Sequence, residues 1–567
     1  MKARSAVPRY ALPILSILGL VLASTIIPSP VIIAQETATS AQAPAATQPV
    51  SDDLPPLPLS PIEKAQKDGT ALPLSLKEVT KLALQNNLDI AIQDTNEQAS
   101  YAKILSANAV YDPTLSGSFS TNSSKRANTS IYAASLAPFN TSKSLSWNYQ
   151  FQQPLRTGGS ISANWQSGRS TTDTTNSTLN PNYNTSGTLT FTQPLWRNFR
   201  IDSNRGNLKI ANLDLKTTDS SFKQKVTDTI SNIQSQYWDL VSAIRDYDIK
   251  RNSVSLGQRT LRDNRKKVEV GTLAPIGILE AQADLAQREL SLMSSEENIL
   301  RQENAMRQLI SNDRHTDIWS KVIVPTETPD FREYKIDLET AIETALKNRP
   351  ELEQIDIQLK TSDINMELTR NSRKWQVDLT ASYGSSGDSG QPTGFGQMNI
   401  IESHIGGLGR AYNNLFTEGL TNWTLRVNVN IPLRNRSNDA QMAQQQISRK
   451  KTLMQRKSTE QNIQVELRNA IQKLETNRKQ VDTAKLGRQL SEEQLAGEVK
   501  RNEAGLSENF RVLERQNQLA SAEYTYLTNL INYKKAVITL QKSMYTLLES
   551  NDIEMAKGSS SNVPDLK

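Results

Sequence analysis

The chain of 567 residues is 37% apolar and 6% aromatic, with a mean hydropathy of -0.54, too polar for one thick core yet too periodic for disorder. It has no cysteine, which excludes disulfides, thiolate zinc sites, cysteine nucleophiles and a lipid-modified N-terminal Cys, and only His315 and His404 could supply imidazole. Part of the net charge of +6 sits on Lys2, Arg4 and Arg9 in an acid-free N-terminus, so no nucleic-acid footprint is left.

Residues 1–34 join that basic start to an apolar run over 11–27, interrupted by Pro13, and read as a signal peptide cleaved after Ala34. No later segment offers the roughly 18 consecutive apolar residues of a membrane-spanning helix, so strands must carry any membrane contact of the mature protein. Residues 35–73, rich in Ala, Thr, Gln and Pro, read as a flexible lead-in. A first repeat follows over 74–312. It opens with a short helix whose Ser75 and Glu78 form a capping box, and its strand candidates, within 113–196, are 115–119, 145–151, 161–165 and 189–195. In the second of these Leu145, Trp147, Tyr149 and Phe151 alternate with Ser146, Asn148 and Gln150, giving one apolar and one polar face. The connections 121–143 and 168–185 read as long polar loops, and 156–160 as a tight Gly-Gly turn, the asymmetry of an outer-membrane barrel.

A helical hairpin over 203–311 comes next. Val226, Ile233, Leu240, Tyr247, Val254, Leu261 and Val268 recur every seven residues, with Ile230, Tyr237 and Ile244 between them, so a rod of roughly 100 Å is expected to supercoil against its neighbours. The chain reverses at Gly271 and returns as a shorter helix. After a connector at 313–335 the second repeat runs over 336–550. It has strand candidates within 376–433, a long polar loop at 385–420, and a helical hairpin at 438–549 carrying Leu467, Leu474, Val481 and Leu495 in step, with Arg488 interrupting. Residues 551–567 read as a disordered tail.

The two repeats align residue by residue. Leu76 to Asp89 matches Leu338 to Glu351 without a gap, and Gly271, Ile278, Leu279, Glu280 and Gln282 match Gly505, Val512, Leu513, Glu514 and Gln516. The fold class is therefore α+β: tandem-duplicated long helical hairpins, with strands standing at one end of a helical wall. In each half the helix before the strands and the return helix are expected to stack end to end against the long one. One chain has too few strands to close a pore-sized barrel, and open edges in lipid are not tolerated, so oligomerisation is required.

These pieces resemble the TolC-like outer-membrane efflux proteins, trimeric channel-tunnels. The resemblance covers about residues 74–550. It rests on the two Leu-x6-Ala-Leu-x-Asn starts, on the strand ends Gln153-Pro154-Leu155, Gln193-Pro194-Leu195 and Ile431-Pro432-Leu433, and on the tips Val270-Gly271-Thr272 and Ala504-Gly505-Leu506 with the helix starts that follow them. It implies a β-barrel in the outer membrane, an α-barrel in the periplasm, a homotrimer, and export powered by an inner-membrane transporter through a periplasmic adaptor, with the tips Val270, Gly271, Thr272, Ala504, Gly505 and Leu506 meeting that adaptor. It also implies a periplasmic gate near the second tip, where Glu514 keeps the acidic character and Arg511 departs from it. The family's twelve-stranded barrel takes four strands per protomer, whereas this sequence offers six. The hairpin over 144–167 is the addition, either lying outside the barrel or widening it to eighteen strands.

No phosphate-binding loop and no catalytic constellation is present, so neither an enzyme nor a cofactor is expected. A periplasmic coiled-coil adaptor or a structural coiled coil would also carry long heptads. An adaptor, however, should place its β-domain around one hairpin, not strands before each of two.

Overall fold

The computed structural model describes residues 57, 59–127, 138–174, 177–313, 315–394 and 402–553. The signal peptide, most of the lead-in and the tail beyond 553 lie outside the described residues. In chain order the elements are α1 (Pro61–Lys67), β1 (Ala71–Leu74), α2 (Leu76–Asn86), α3 (Leu88–Asn108), β2 (Thr114–Ala127), β3 (Phe139–Pro154), β4 (Ser160–Thr172), β5 (Leu179–Pro194), α4 (Ser203–Glu269) and α5 (Ile276–Ile310). Then come β6 (Val322–Pro325), α6 (Leu338–Asn348), α7 (Pro350–Ser372), β7 (Gln376–Pro392), α8 (Leu408–Thr417), β8 (Thr421–Asn430), α9 (Arg436–Glu503), α10 (Asn509–Met544) and α11 (Leu547–Ser550). Among the described residues no helix is long and apolar enough to cross a membrane.

The wall is four helices wide. The 67-residue α4 packs along both α5 and α3, while α7 and α10 both lie between α4 and the 68-residue α9. The 21 residues of α3 and 35 of α5 thus line one long helix end to end, and the 23 of α7 and 36 of α10 line the other. The heptad positions fill the seam. Val226, Ile230, Ile233, Tyr237, Leu240, Tyr247, Val254 and Leu261 are buried in α4, as are Leu467, Leu474 and Val481 in α9. Arg488 breaks that stripe because its guanidinium lies 5.4 Å from the Tyr526 ring centroid, substituting a cation–π contact for an apolar one.

The strands form one antiparallel sheet in the order β2-β3-β4-β5-β7-β8, so all six belong to one surface. The register places every large apolar side chain exposed on the strands on a single face, including Leu115, Phe119, Tyr149, Phe151, Leu189, Phe191, Tyr383, Trp423, Leu425, Val427 and Val429. Ser116, Asn148, Gln150, Asn164, Thr190, Thr380, Arg426 and Asn428 occupy the other face. From Val377 and Val429 up to Phe119 and Trp147 the apolar rows climb about 33 Å along the strands. At the 35–45° tilt that barrel strands take, that is a band roughly 25 Å tall, the height of the apolar belt expected on an outer-membrane barrel.

Four expectations are corrected. The lead-in is not flexible to residue 73. Ser60 and Glu63 close a capping box at the head of α1, and β1 pairs in parallel with β6, each short strand leading into its own repeat. Among the described residues, the stretches 121–143 and 168–185 expected as polar loops are largely strand, and β7 runs into the 385–420 stretch as far as Pro392, because β2 to β5 and β7 run on past the apolar band with polar residues on both faces, where alternation no longer marks them. The 385–420 loop also contains a helix, α8. Finally, the last helix does not run unbroken to 549, since Tyr545 adopts a left-handed conformation (φ 61°) that caps α10 and starts α11.

Candidate functional site at the closed hairpin tips

Each long helix ends in the same construction. Gly271 (φ 79°) and Gly505 (φ 72°) adopt the left-handed conformation that glycine enters without steric cost. The Gly271 amide donates to the Val268 carbonyl at 3.0 Å and the Thr272 amide to Lys267 at 2.8 Å. At the second tip Gly505 donates to Asn502 at 3.0 Å and Leu506 to Arg501 at 2.8 Å. These bonds use up the last helical carbonyls and end the rods cleanly. Lys267 Nζ donates to Asn502 Oδ1 at 3.1 Å, so the two turns form one unit. All six tip residues singled out by the sequence lie on these turns. Val270 (72% exposed) and Leu506 (73%) stand out from it beside exposed Ile276 and Phe510, and apart from the glycine and its two chain neighbours nothing lies within 4 Å of where a side chain at Gly271 or Gly505 would begin.

Behind the tips a buried polar knot ties three helices together. Arg288, 5% exposed on α5, donates to Asp284 Oδ2 at 2.6 Å, to the Ser253 carbonyl of α4 at 2.9 Å and to Gln516 Oε1 of α10 at 3.2 Å. Asn517 Nδ2 closes the loop on Asp284 Oδ1 at 3.0 Å. Between the knot and the tips runs a groove of about 580 Å³ lined by Glu280, Asp284, Phe510, Leu513, Glu514 and Asn517.

The structure does not join Glu514 and Arg511, the residues expected at a gate, in an ion pair. Glu514 accepts a hydrogen bond from Gln518 at 3.3 Å and faces the groove, together with Glu280 and Asp284. Arg511 stands with Arg501 and Arg515 around Glu498, whose carboxyl is held below the usual glutamate range by the Ser507 hydroxyl and those three cations. The acidic lining therefore includes Glu280, which the sequence reading had not assigned, although the repeat alignment already set it opposite Glu514.

The profile of the outer membrane efflux protein family matches residues 160–312 and 341–544, more than half of the chain and both repeats. The chain belongs to the outer membrane efflux protein family. It is a channel of the bacterial outer membrane with its helices in the periplasm, and not an enzyme. Solved structures that share its fold include three outer-membrane proteins. The Campylobacter jejuni CmeC outer membrane channel is 16% identical with a TM-score of 0.59, covering 85% of this chain and 90% of that one. CusC is 14% identical at 0.60, covering 83% and 91%. The Vibrio cholerae outer membrane protein VceC is 14% identical at 0.56, covering 83% and 95%. No curated protein sequence matches the chain significantly.

Proposed function

We propose that three copies of this channel close into a passive conduit whose tips dock a periplasmic adaptor of an inner-membrane pump. What carries the trimer is that sheet and wall are unfinished on the same two sides. β2 and β8 are the open sheet edges and are almost entirely exposed along their lengths. They continue from α3 and into α9, the outermost helices of the wall. The two edges of the wall expose apolar residues in periodic rows: Leu279, Met293 and Leu300 on α5, which lines the same side of α4 as α3, and Ile447, Met454 and Val465 on α9. Joining β8 to a neighbour's β2 preserves antiparallel pairing and at the same time brings α9 to the neighbour's α3 and α5, so a single rotation satisfies both layers.

With six strands from each protomer, the proposed barrel has eighteen. At the other end, the apolar prominences Val270, Ile276, Leu506 and Phe510 supply an adaptor-binding surface, and Glu514 with Glu280 forms acidic rings at the entrance while Arg511 tempers them. The test combines native mass measurement of the outer-membrane protein with conductance in planar bilayers. A mass of three chains is expected, with Glu514→Gln lowering cation selectivity and Arg511→Asp raising it. A monomer would overturn the conduit, and unchanged selectivity in both variants would remove these residues from the pore.

A further inference from the structure

On the lipid-facing side of the sheet the apolar rows are interrupted by small and polar residues: Ser167 and Thr185, and on β7 Ser385, Gly387 and Ser389. The inserted helix α8 covers this interruption. Ser385 Oγ donates to the Leu415 carbonyl at 2.6 Å, Ser389 Oγ to Gly407 at 2.9 Å, and Asn414 Nδ2 to the carbonyls of Asp388 at 3.0 Å and Ser403 at 2.8 Å. A Cβ at Gly387 would lie 2.2 Å from the Ala411 carbonyl, so only glycine lets the helix approach this closely. These contacts run from Ser389 down to Ser385 as α8 runs from Gly407 to Leu415. The helix therefore descends along the outside of the sheet, toward the apolar band. Its aromatic flank turns to β4: Tyr412 stacks on Trp165 with centroids 6.0 Å apart, and Phe416 lies 6.2 Å from the same ring while remaining 75% exposed.

Beside that flank lies a trough of about 420 Å³. Ala163 and Gly187 form its floor, Tyr149, Phe151, Leu189 and Tyr383 its sides, and Leu415 and Phe416 border it on the α8 side. Higher on the same face Arg169 is exposed four residues beyond Trp165 on β4, about 13 Å, and Lys143 six residues beyond Tyr149 on β3, about 20 Å, and neither makes an ion pair among the described residues. Lys125 follows, resting 4.7 Å from the Phe139 ring. The acid at this end of the face is Asp173, whose carboxylate accepts the Thr141 amide at 2.6 Å.

We infer that this lane between α8 and the β2–β3 edge is a binding site for one anionic lipid. The acyl chain lies in the trough against Trp165 and Phe416, and the headgroup phosphate meets Arg169 and Lys143. The trough is continuous with the apolar band that faces the membrane, which selects a lipid over a soluble partner, and the unpaired cations above it select a negative headgroup. The proposal rests on the outer-membrane channel reading.

The test is native mass spectrometry of the wild-type trimer, delipidated in detergent and titrated with phosphatidylglycerol or phosphatidylcholine of identical chains. Wild type should retain phosphatidylglycerol at least about tenfold more than phosphatidylcholine, and Lys143→Glu with Arg169→Glu should abolish or invert that preference. Gly187→Leu fills the trough without a backbone clash, since its Cβ meets only the Trp165 ring at 3.5 Å, and should lower retention of both lipids about tenfold. Ala163→Leu serves as a second filling variant with the same expectation. Equal retention of the two lipids by wild type, or unchanged retention in both filling variants, overturns the site. Absence of a wild-type trimer would instead count against the conduit, because the lipid readout is scored on that trimer.

Discussion

The two halves of the chain differ little in the periplasm and greatly at the membrane. Asn87 and Arg349 occupy equivalent positions at the heads of α3 and α7. Asn87 Nδ2 donates to the Leu309 carbonyl at 3.0 Å and Arg349 Nε to the Ser543 carbonyl at 2.8 Å, and those two acceptors are themselves equivalent. The contact survived duplication although its chemistry changed, with Arg349 adding an ion pair to Glu466 at 2.8 Å. The backbone turns at the tips likewise repeat, the bonds of Gly271 and Thr272 being matched by those of Gly505 and Leu506. At the membrane the first half inserts the β3–β4 hairpin between its two helix-connected strands, while the second inserts α8 between β7 and β8. A helical wall four wide must match in length and register along its whole extent, so neither half can drift alone. A sheet can take an extra hairpin or an outer helix, provided its outward face stays covered.

The comparison breaks first if the halves of the wall are not equally indispensable. Leu240→Asp in α4 and Leu474→Asp in α9 each bury an unpaired charge in a filled seam and should cost more than about 4 kcal/mol, removing folded trimer from the outer membrane. Urea denaturation of the purified variants checks this, and tolerance of either one would show that half to be looser. Next come the tips. Gly271→Leu or Gly505→Leu forces a side chain into a left-handed backbone at about 1–2 kcal/mol, a cost the long helices absorb. Either should abolish export while leaving trimers in the membrane, and a cargo efflux assay beside a membrane fraction reads both.

The membrane inserts should behave differently from the tips. Gly387→Val must push α8 off the sheet at a cost of about 1–3 kcal/mol, shifting the tryptophan emission of Trp165 while export is kept. Export lost together with the shift would make α8 part of the conduit. The smallest effect concerns Glu97, buried on α3 where the second half has Leu359. Burial, with Asp219 and Asp94 nearby, raises its carboxyl above the ordinary value of 4.5. A raised acid destabilises the fold when ionised, so Glu97→Gln should melt slightly higher at neutral pH, with the gain vanishing below pH 4.5. Thermal melts at the two pH values measure it.

The wall was legible in the sequence because heptads and a gapless repeat leave few alternatives, and the tips were legible because glycine ends two rods at matched positions. Three features were hidden. β1 and β6 have four residues each, include Pro73 and Pro325, and gain their pairing only from each other. The outer parts of the strands are polar on both faces. α8 sits among Gly406, Gly407, Gly409 and Gly419, although Leu408, Ala411, Tyr412, Leu415 and Phe416 kept helical spacing inside what read as a loop. At the tips the acidic partner Glu280 was visible through the duplication, whereas the separation of Arg511 from Glu514 depends on which side of α10 each side chain leaves, which spacing alone did not settle.

The most direct test of the account is a cryo-electron microscopy structure of the channel reconstituted in lipid nanodiscs. The account predicts three protomers in one closed wall of eighteen strands, β8 of each paired antiparallel with β2 of the next, and α9 seated against the neighbour's α3 and α5. A wall of twelve strands with the β3–β4 hairpin outside it, or edges β2 and β8 left unpaired, would contradict it.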